Sequence, residues 1–379
     1  MCFCTNPALF RRAALRRDQE RRIILFYHSR QKTWPLTANR LTITKNDVID
    51  MDVWRKTNPL GQVYRAEADI QAASPAFSVR KEQKMSIRSA NRCLLWMTVV
   101  TFIAASAFHI PNTVLSELIP KVAALGILVF MAKRDGVSDI PSMLAFHALP
   151  ISTVGLCFLY YTVSYPSMAV MGMVSSLFTS RLASMFGANA VKQSFLESMI
   201  CTAVLPSLYE EILLRGMVFQ SHRKTGRVRA AVLLSALLFG LLHMNVWQLA
   251  YTFVAGIFLT LIVEASGSLW SSILVHFCYN MTAVVLSFIS GGGSGESGGS
   301  SPMLILVFVV AAAAGIAFSI PLLKRIRSSV GRDVLTDEGS RPELKLVTPA
   351  LVVFMAACIV INIVSALAIL FPSAFSLPG

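Results

Sequence analysis

Charged residues are scarce in this chain. Asp, Glu, Lys and Arg make up 14% of its 379 residues, hydrophobic residues make up 55%, and the mean hydropathy is +0.62. A soluble domain carries about a quarter charged residues. The composition therefore excludes a soluble globular protein of this length and indicates a surface that mostly faces lipid.

Paired cysteine motifs and several peptidase signatures are also lacking. The seven cysteines are scattered, and no two of them form a CxxC pair. This excludes a disulfide framework and a cysteine-based structural zinc site. The H-E-x-x-H pattern of zinc peptidases is absent, and no serine lies in a motif suited to a rhomboid-like serine peptidase. No repeat of the kind that builds transporters is visible.

Long apolar segments are what the sequence has in abundance. A spanning helix needs about 20 mostly apolar residues. The sequence predicts an all-α, polytopic transmembrane helical bundle with about nine spanning helices within residues 93–371. The segments are roughly 94–110, 114–132, 143–163, 194–219, 229–245, 247–265, 268–290, 303–322 and 347–371.

Residues 1–92 form a basic N-terminal region that we expect to be partly disordered. Residues 1–93 hold 18 Lys and Arg against 8 Asp and Glu. Beside a membrane domain, this charge is typical of a cytoplasmic flank and does not indicate nucleic-acid binding. The turns after the second, fourth and eighth segments are also basic, which predicts a cytoplasmic N-terminus and an outer C-terminus.

Residues 165–192 are moderately apolar but contain Arg181. We interpret them as an interfacial segment on the outer side. A tenth spanning helix is the alternative.

Ionisable residues inside spanning helices are costly, so they are candidates for function. The fourth segment contains EEILLRG, with Glu210, Glu211 and Arg215. Glu211 and Arg215 are four residues apart and can pair on one helix face. Glu210 points about 100° away and has no local partner. This contrast makes Glu210 the stronger candidate for chemistry, whereas Glu211 and Arg215 also fit a packing role.

The fifth and seventh segments supply further polar groups. FGLLH runs from Phe239 to His243, and HFCYN runs from His276 to Asn280. His276 and Asn280 share a helix face and can both donate hydrogen bonds. A simpler alternative for each is interhelical hydrogen bonding.

Together these residues fit peptide hydrolysis in two ways. A buried glutamate can activate water while a His and Asn face stabilises the oxyanion. Alternatively, Glu210, His243 and His276 can hold zinc as a 2-His-1-carboxylate set. The residues alone leave both open, so no metal ligand is assigned and zinc is the one cofactor under consideration.

The three motifs resemble those of the CPBP family, the intramembrane peptidases that include type II CAAX prenyl endopeptidases and bacteriocin-processing enzymes. The family pattern is EExxxR, FxxxH and HxxxN on separate membrane helices, and the resemblance covers residues 193–290. It implies that Glu210 and His243 activate water and that His276 and Asn280 stabilise the oxyanion. Glu211, Arg215 and Phe239 are then supporting residues, and family members are often described as metalloproteases.

The resemblance predicts an intramembrane endopeptidase. The expected partners of this enzyme are the lipid bilayer and a membrane-associated peptide or protein substrate. The predicted location is a bacterial cell membrane. The alternative is a non-catalytic member, either a membrane scaffold or a bacteriocin self-immunity protein.

Overall fold

The computed structural model describes four short strands near the start of the chain and a helical bundle from residue 85 onward. The described ranges are 14–17, 23–26, 32–36, 39–43, 85–107, 110–186, 193–289, 302–332, 341 and 343–371. The chain forms two compact units, Met1–Lys81 and Glu82–Gly379.

The first unit contains two antiparallel hairpins, which were not expected from the sequence. Strand β1 (Ala14–Arg17) pairs with β2 (Ile23–Phe26), and β3 (Lys32–Leu36) pairs with β4 (Asn39–Ile43). The rest of residues 1–84, and with it the predicted disorder, lies outside the described residues.

The second unit is built of helices, which confirms the predicted all-α membrane bundle. In chain order they are α1 (Ile87–Ala107), α2 (Thr113–Arg134), the short α3 (Ile140–Met143), α4 (Ile151–Phe186), α5 (residues 195–222), α6 (Val228–Leu242), α7 (Val246–Ser266), α8 (Leu269–Ile289), α9 (Pro302–Ser329) and α10 (Pro349–Leu370).

Each of the nine apolar segments contains a helix, but the count of nine spans is not confirmed. In the described part of the chain, seven helices are long and apolar enough to cross a membrane by length and composition. Helix α6 has 15 residues, fewer than the roughly 20 that a span needs. Helix α5 departs from regular α geometry along its length.

Helix α5 alternates between α-helical and π-helical turns. The order is α for Phe195–Ser198, π for Met199–Val204, α for Leu205–Glu211, π for Ile212–Phe219 and α for Gln220–His222. The first motif straddles the change at Glu211. Widened π turns occur often at functional sites, because they alter the direction in which neighbouring side chains point.

The interpretation of residues 165–192 as a separate interfacial segment is wrong for most of its length. Helix α4 runs without a break from Ile151 to Phe186, 36 residues that span about 54 Å. Its span by composition is Ile151–Val174. Arg181 therefore lies on a continuation of the same helix, and the described residues contain no separate tenth span there.

The predicted cytoplasmic turns all lie at one end of the bundle, which we call the basic end. It comprises the start of α1 and the turns after α2, α5, α7 and α9. Contacts that join these segments are Ser86 N–H to Asp135 (3.0 Å), Lys224 Nζ to the Met85 carbonyl (2.6 Å), Arg341 N–H to the Thr225 carbonyl (2.9 Å), Thr153 to Ser329 (2.8 Å) and Leu269 N–H to the Ala145 carbonyl (2.8 Å). The alternation of helix directions is thus as predicted.

Helices α6 and α7 approach each other closely at Gly256. A Cβ added at Gly256 would lie 2.7 Å from Ala236 Cα, so only glycine allows this separation. Small residues permit such close helix contact in membrane proteins. The contact brings the α7 backbone to the side chains of α5 and α6 that form the candidate site.

Candidate active site

Arg215 is a fully buried cation whose hydrogen-bonding groups reach three neighbours. Its Nη1 donates to Glu211 Oε1 at 2.7 Å, its Nη2 to the Gly256 carbonyl at 3.1 Å and its Nε to Thr260 Oγ1 at 3.3 Å. Glu211 is fully buried as well. A buried ion pair needs such additional partners to offset desolvation. The four-residue spacing in the sequence predicted the ion pair between Glu211 and Arg215, and the structure confirms it.

His276 joins the same carboxylate from another helix. Its Nδ1 lies 2.9 Å from Glu211 Oε1. Because a carboxylate only accepts, Nδ1–H is the donor and the ring is held by one edge. Glu211 thus links α5 to α8, a contact between residues 65 positions apart that no local spacing could reveal.

The ring of Phe239 lies between the three motifs. The Arg215 guanidinium sits 4.4 Å from its centroid, and the rings of His243 and His276 meet it edge to face at 4.9 Å and 5.5 Å. Both geometries are favourable for an aromatic quadrupole. Phe239 therefore holds one residue of each motif at a common centre.

Glu210 is placed differently from its neighbour Glu211. Its side chain is 20% exposed, and its buried Oε2 has no hydrogen-bond partner among the described residues. This oxygen lies 3.9 Å from Nε2 of His276. The distance exceeds a direct hydrogen bond but is one that a single bridging water can span.

His243 caps the end of α6. Its Nδ1 lies 2.8 Å from the Phe239 carbonyl, so Nδ1–H donates and Nε2 is left as the accepting nitrogen. The next residue, Met244, has a φ of 49°, a left-handed conformation that is uncommon for a non-glycine residue. The chain thus turns sharply just after the histidine.

Asn280 lies one turn after His276 on α8 and is half-buried. Within the described part of the chain, its side-chain amide makes no hydrogen bond. The structure therefore brings Glu211, Arg215, Phe239, His243 and His276 together in direct contact, with Glu210 beside His276. Among the described residues, no hydrogen bond or ion pair ties Asn280 to this group.

A layer of tyrosines borders the site and was missed from the sequence. The Tyr279 ring lies 5.7 Å from Tyr161 and 6.5 Å from Tyr165, and Tyr251 is within electrostatic reach of Glu210. Tyr279 also contacts Ser164 through their hydroxyls at 2.5 Å. The available signal was the run of Tyr160, Tyr161 and Tyr165 at the end of the third segment and just beyond it. Thr260 likewise stood out as a polar residue in an apolar helix.

The described residues do not form a metal centre in this arrangement. No group of three or more His, Cys, Asp or Glu side chains is positioned to hold a metal ion. In particular, Glu210, His243 and His276 are not positioned as such a group. Zinc binding stays a prediction, and no step below depends on it.

Comparison with known proteins points to the family that the motifs resemble. Residues 192–282 match the family model described as Type II CAAX prenyl endopeptidase Rce1-like. No curated protein and no solved structure matches the chain. The match covers all three motifs and confirms the resemblance for this segment.

Proposed function

We propose that this chain is an intramembrane endopeptidase that hydrolyses a peptide bond of a membrane-associated protein or peptide through a water activated by a carboxylate. The observation that carries the proposal is the contrast between the two adjacent glutamates. Oε1 of Glu211 accepts from both Arg215 and His276 while its Oε2 is unpaired among the described residues. The carboxylate of Glu210 makes no hydrogen bond to any described residue, and its buried Oε2 faces Nε2 of His276. The family match supports the same activity.

In the proposed reaction Glu210 is the general base. It takes a proton from water as the water oxygen attacks the scissile carbonyl, and the pair of electrons of the C=O bond moves to oxygen. Nε2 of His243 is the accepting nitrogen of that ring and helps to orient the water. When the tetrahedral intermediate collapses, protonated Glu210 returns the proton to the leaving amine.

The developing oxyanion is stabilised by His276 and Asn280. The Nδ1–H of His276 is fixed on Glu211, which aims Nε2 toward Glu210. The free amide of Asn280 supplies a second donor from the same helix face. Fixed donors at a developing oxyanion contribute about 2.7–4 kcal/mol each.

Glu211, Arg215 and Phe239 position these groups without reacting. Glu211 orients His276, Arg215 neutralises Glu211, and Phe239 packs against Arg215 and both histidines. The tyrosine layer then forms an apolar wall with hydroxyl edges beside the reacting groups. Such a wall suits an extended peptide with hydrophobic side chains better than a charged one.

Two finer points belong to the same proposal. The basic end faces the cytoplasm, because positive charge is retained on that side of a membrane. The substrate belongs to the class of lipid-anchored or hydrophobic peptides, which includes CAAX and bacteriocin-type precursors in a bacterial cell membrane.

The test uses the purified full chain in lipid vesicles. The substrates are a farnesylated CAAX peptide, the same peptide without its lipid, and a hydrophobic bacteriocin-type precursor. We expect cleavage of at least one membrane-anchored peptide, unchanged by a chelator, and a loss of at least about 100-fold in His243→Ala. The exposed Gln248→Ala on the following helix is the control.

Absence of cleavage for all three peptides by well-folded wild type would contradict the proposed activity. Cleavage that a chelator abolishes and zinc restores would instead establish the metal-dependent alternative.

A further inference from the structure

Helix α10 carries two side chains that form strong hydrogen bonds, Asn362 and Ser365, in an otherwise apolar span. The two residues are three positions apart, so they lie on one side of the helix. Polar side chains within a membrane span are candidates for function. Helix α10 lies beyond residue 282, where the family match ends. The three motifs therefore do not explain its polar residues.

The Ser365 hydroxyl bonds outside its own helix. Its Oγ–H donates to the Met244 carbonyl, with 3.3 Å between the oxygens. Within a helix, a hydroxyl can donate to the carbonyl one turn earlier, as Ser319 does on α9 and Thr162 does on α4. Because a hydroxyl has only one hydrogen, Ser365 gives up that local bond and instead ties α10 to the turn between α6 and α7.

Met244 has a backbone conformation that needs support from its surroundings. Its φ of 49° is left-handed, which is unfavourable for a residue with a side chain. Such conformations persist where neighbouring groups hold them, and they cluster at functional sites. The Met244 N–H donates to the Leu241 carbonyl at 3.0 Å, and its carbonyl accepts from Ser365. Both polar groups of this residue's backbone are therefore held.

Met244 directly follows His243, the residue that ends α6. The His243 ring is attached at one edge, where Nδ1–H donates to the Phe239 carbonyl at 2.8 Å. The direction of the opposite nitrogen, Nε2, then depends on where the backbone of this turn lies. A bond that holds Met244 therefore also holds His243.

The length of each helix places Ser365 at the level of His243. Both α6 and α10 begin at the basic end. From Val228 to His243 and from Pro349 to Ser365, each helix rises by roughly 22–24 Å at 1.5 Å per residue. The bond to Met244 thus joins two helices that have reached the same depth in the bundle.

We propose that Ser365 is a positioning residue for His243, which it acts on through the Met244 carbonyl. This inference rests on the proposed function, in which Nε2 of His243 orients the attacking water. Ser365 holds the turn and takes no part in proton transfer. Its contribution is therefore to the reaction step and not to substrate binding.

The experiment compares purified full-length wild type, Ser365→Ala and Ser365→Thr in lipid vesicles with the three peptides of the cleavage test. We expect Ser365→Ala to lower kcat about three- to tenfold at unchanged KM, which is the effect of losing one hydrogen bond. Ser365→Thr keeps the hydroxyl and should restore kcat. The control is Ser319→Ala, which removes a buried hydroxyl that bonds within α9 and should leave kcat unchanged.

Hydrogen exchange of the segment containing residues 243–246, measured by mass spectrometry, follows the turn independently of cleavage. Exchange should be faster in Ser365→Ala and unchanged in Ser365→Thr and Ser319→Ala. A wild-type kcat in Ser365→Ala, a loss confined to KM, or an equal loss in Ser319→Ala would overturn the proposal. If wild type cleaves no peptide, the proposed function fails and exchange alone decides whether Ser365 holds the turn. Faster exchange in Ser365→Ala would then support this contact, and unchanged exchange would overturn it.

Discussion

Arg215 has a positive charge at a fully buried position in α5, and the surrounding structure compensates for it through several groups at once. Glu211 supplies the opposite charge, Gly256 and Thr260 supply acceptors, and Phe239 supplies a ring face. A planar guanidinium can meet all of these together, whereas an ammonium cannot. The residue therefore holds three helices in register.

The first prediction is that Arg215→Lys destabilises the protein even though it keeps the charge. Lysine retains the pair with Glu211 but loses the hydrogen bonds of the guanidinium to Gly256 and Thr260 on α7 and its stacking on Phe239. We expect a loss of about 1–3 kcal/mol, seen as a lower thermal unfolding midpoint in detergent. The exposed Arg229→Lys is the matched control, and a midpoint equal to that of the control would refute this role for Arg215.

The spacing in the sequence was enough to pair Glu211 with Arg215, because both lie on one helix four residues apart. The spacing also predicted that the Glu210 side chain points away from this pair on the helix. It could not show that Glu211 accepts from His276, because this contact depends on how α5 packs against α8. The same limit applies to Thr260 and Gly256, whose partners lie on another helix.

At the scale of elements, apolar run length located each main helix of the bundle. Run length did not predict two features of the structure, which are the full extent of α4 and the π turns of α5. Because residues 165–192 contain Arg181, they were interpreted as a separate interfacial segment, yet α4 continues to Phe186 and only Ile151–Val174 forms its apolar span. The π turns of α5 have no apolar-pattern signal, because they change hydrogen-bond spacing and not composition.

The second prediction concerns the contact between α6 and α7. Gly256→Val should force these helices apart, because a Cβ there meets the Ala236 backbone. Overpacking of this kind costs about 1–3 kcal/mol, and the displaced Gly256 carbonyl would no longer reach Arg215. The thermal midpoint and the cleavage rate should therefore fall together.

The control for this contact is Gly126→Val on α2, where an added Cβ meets nothing within 4 Å. If Gly256→Val were as stable and active as this control, the close approach would not position the site.

At the scale of the whole molecule, the contacts at the basic end determine which turns share a side but not which compartment they face. The third prediction is that epitope tags at residues 222–229 or 333–340 are reached only from the cytoplasm. A tag within residues 291–301 should be reached from outside. The excess of Lys and Arg at the basic end is the physical reason. Accessibility of the first two tags from outside would reverse the orientation.

The fourth prediction is that a protein beginning at Met85 inserts and cleaves like the full chain. Met85 is fully buried and its carbonyl accepts from Lys224, so this residue must be kept. No site residue precedes it. Rates of the two proteins in the same vesicles provide the measurement, and a normally inserted but inactive truncation would show that residues 1–84 take part in activity.

The central claim, that Glu210 reacts and Glu211 positions, is tested most directly by measuring cleavage and thermal unfolding in parallel for Glu210→Gln and Glu211→Gln. Glu210→Gln should lose at least about 100-fold in cleavage with little change in its unfolding midpoint, because it removes the base and leaves the buried Glu211–Arg215 ion pair intact. Glu211→Gln should also lose stability, by about 3–5 kcal/mol, because it leaves Arg215 buried without its counter-charge. A Glu210→Gln protein that cleaves at the wild-type rate would contradict the account.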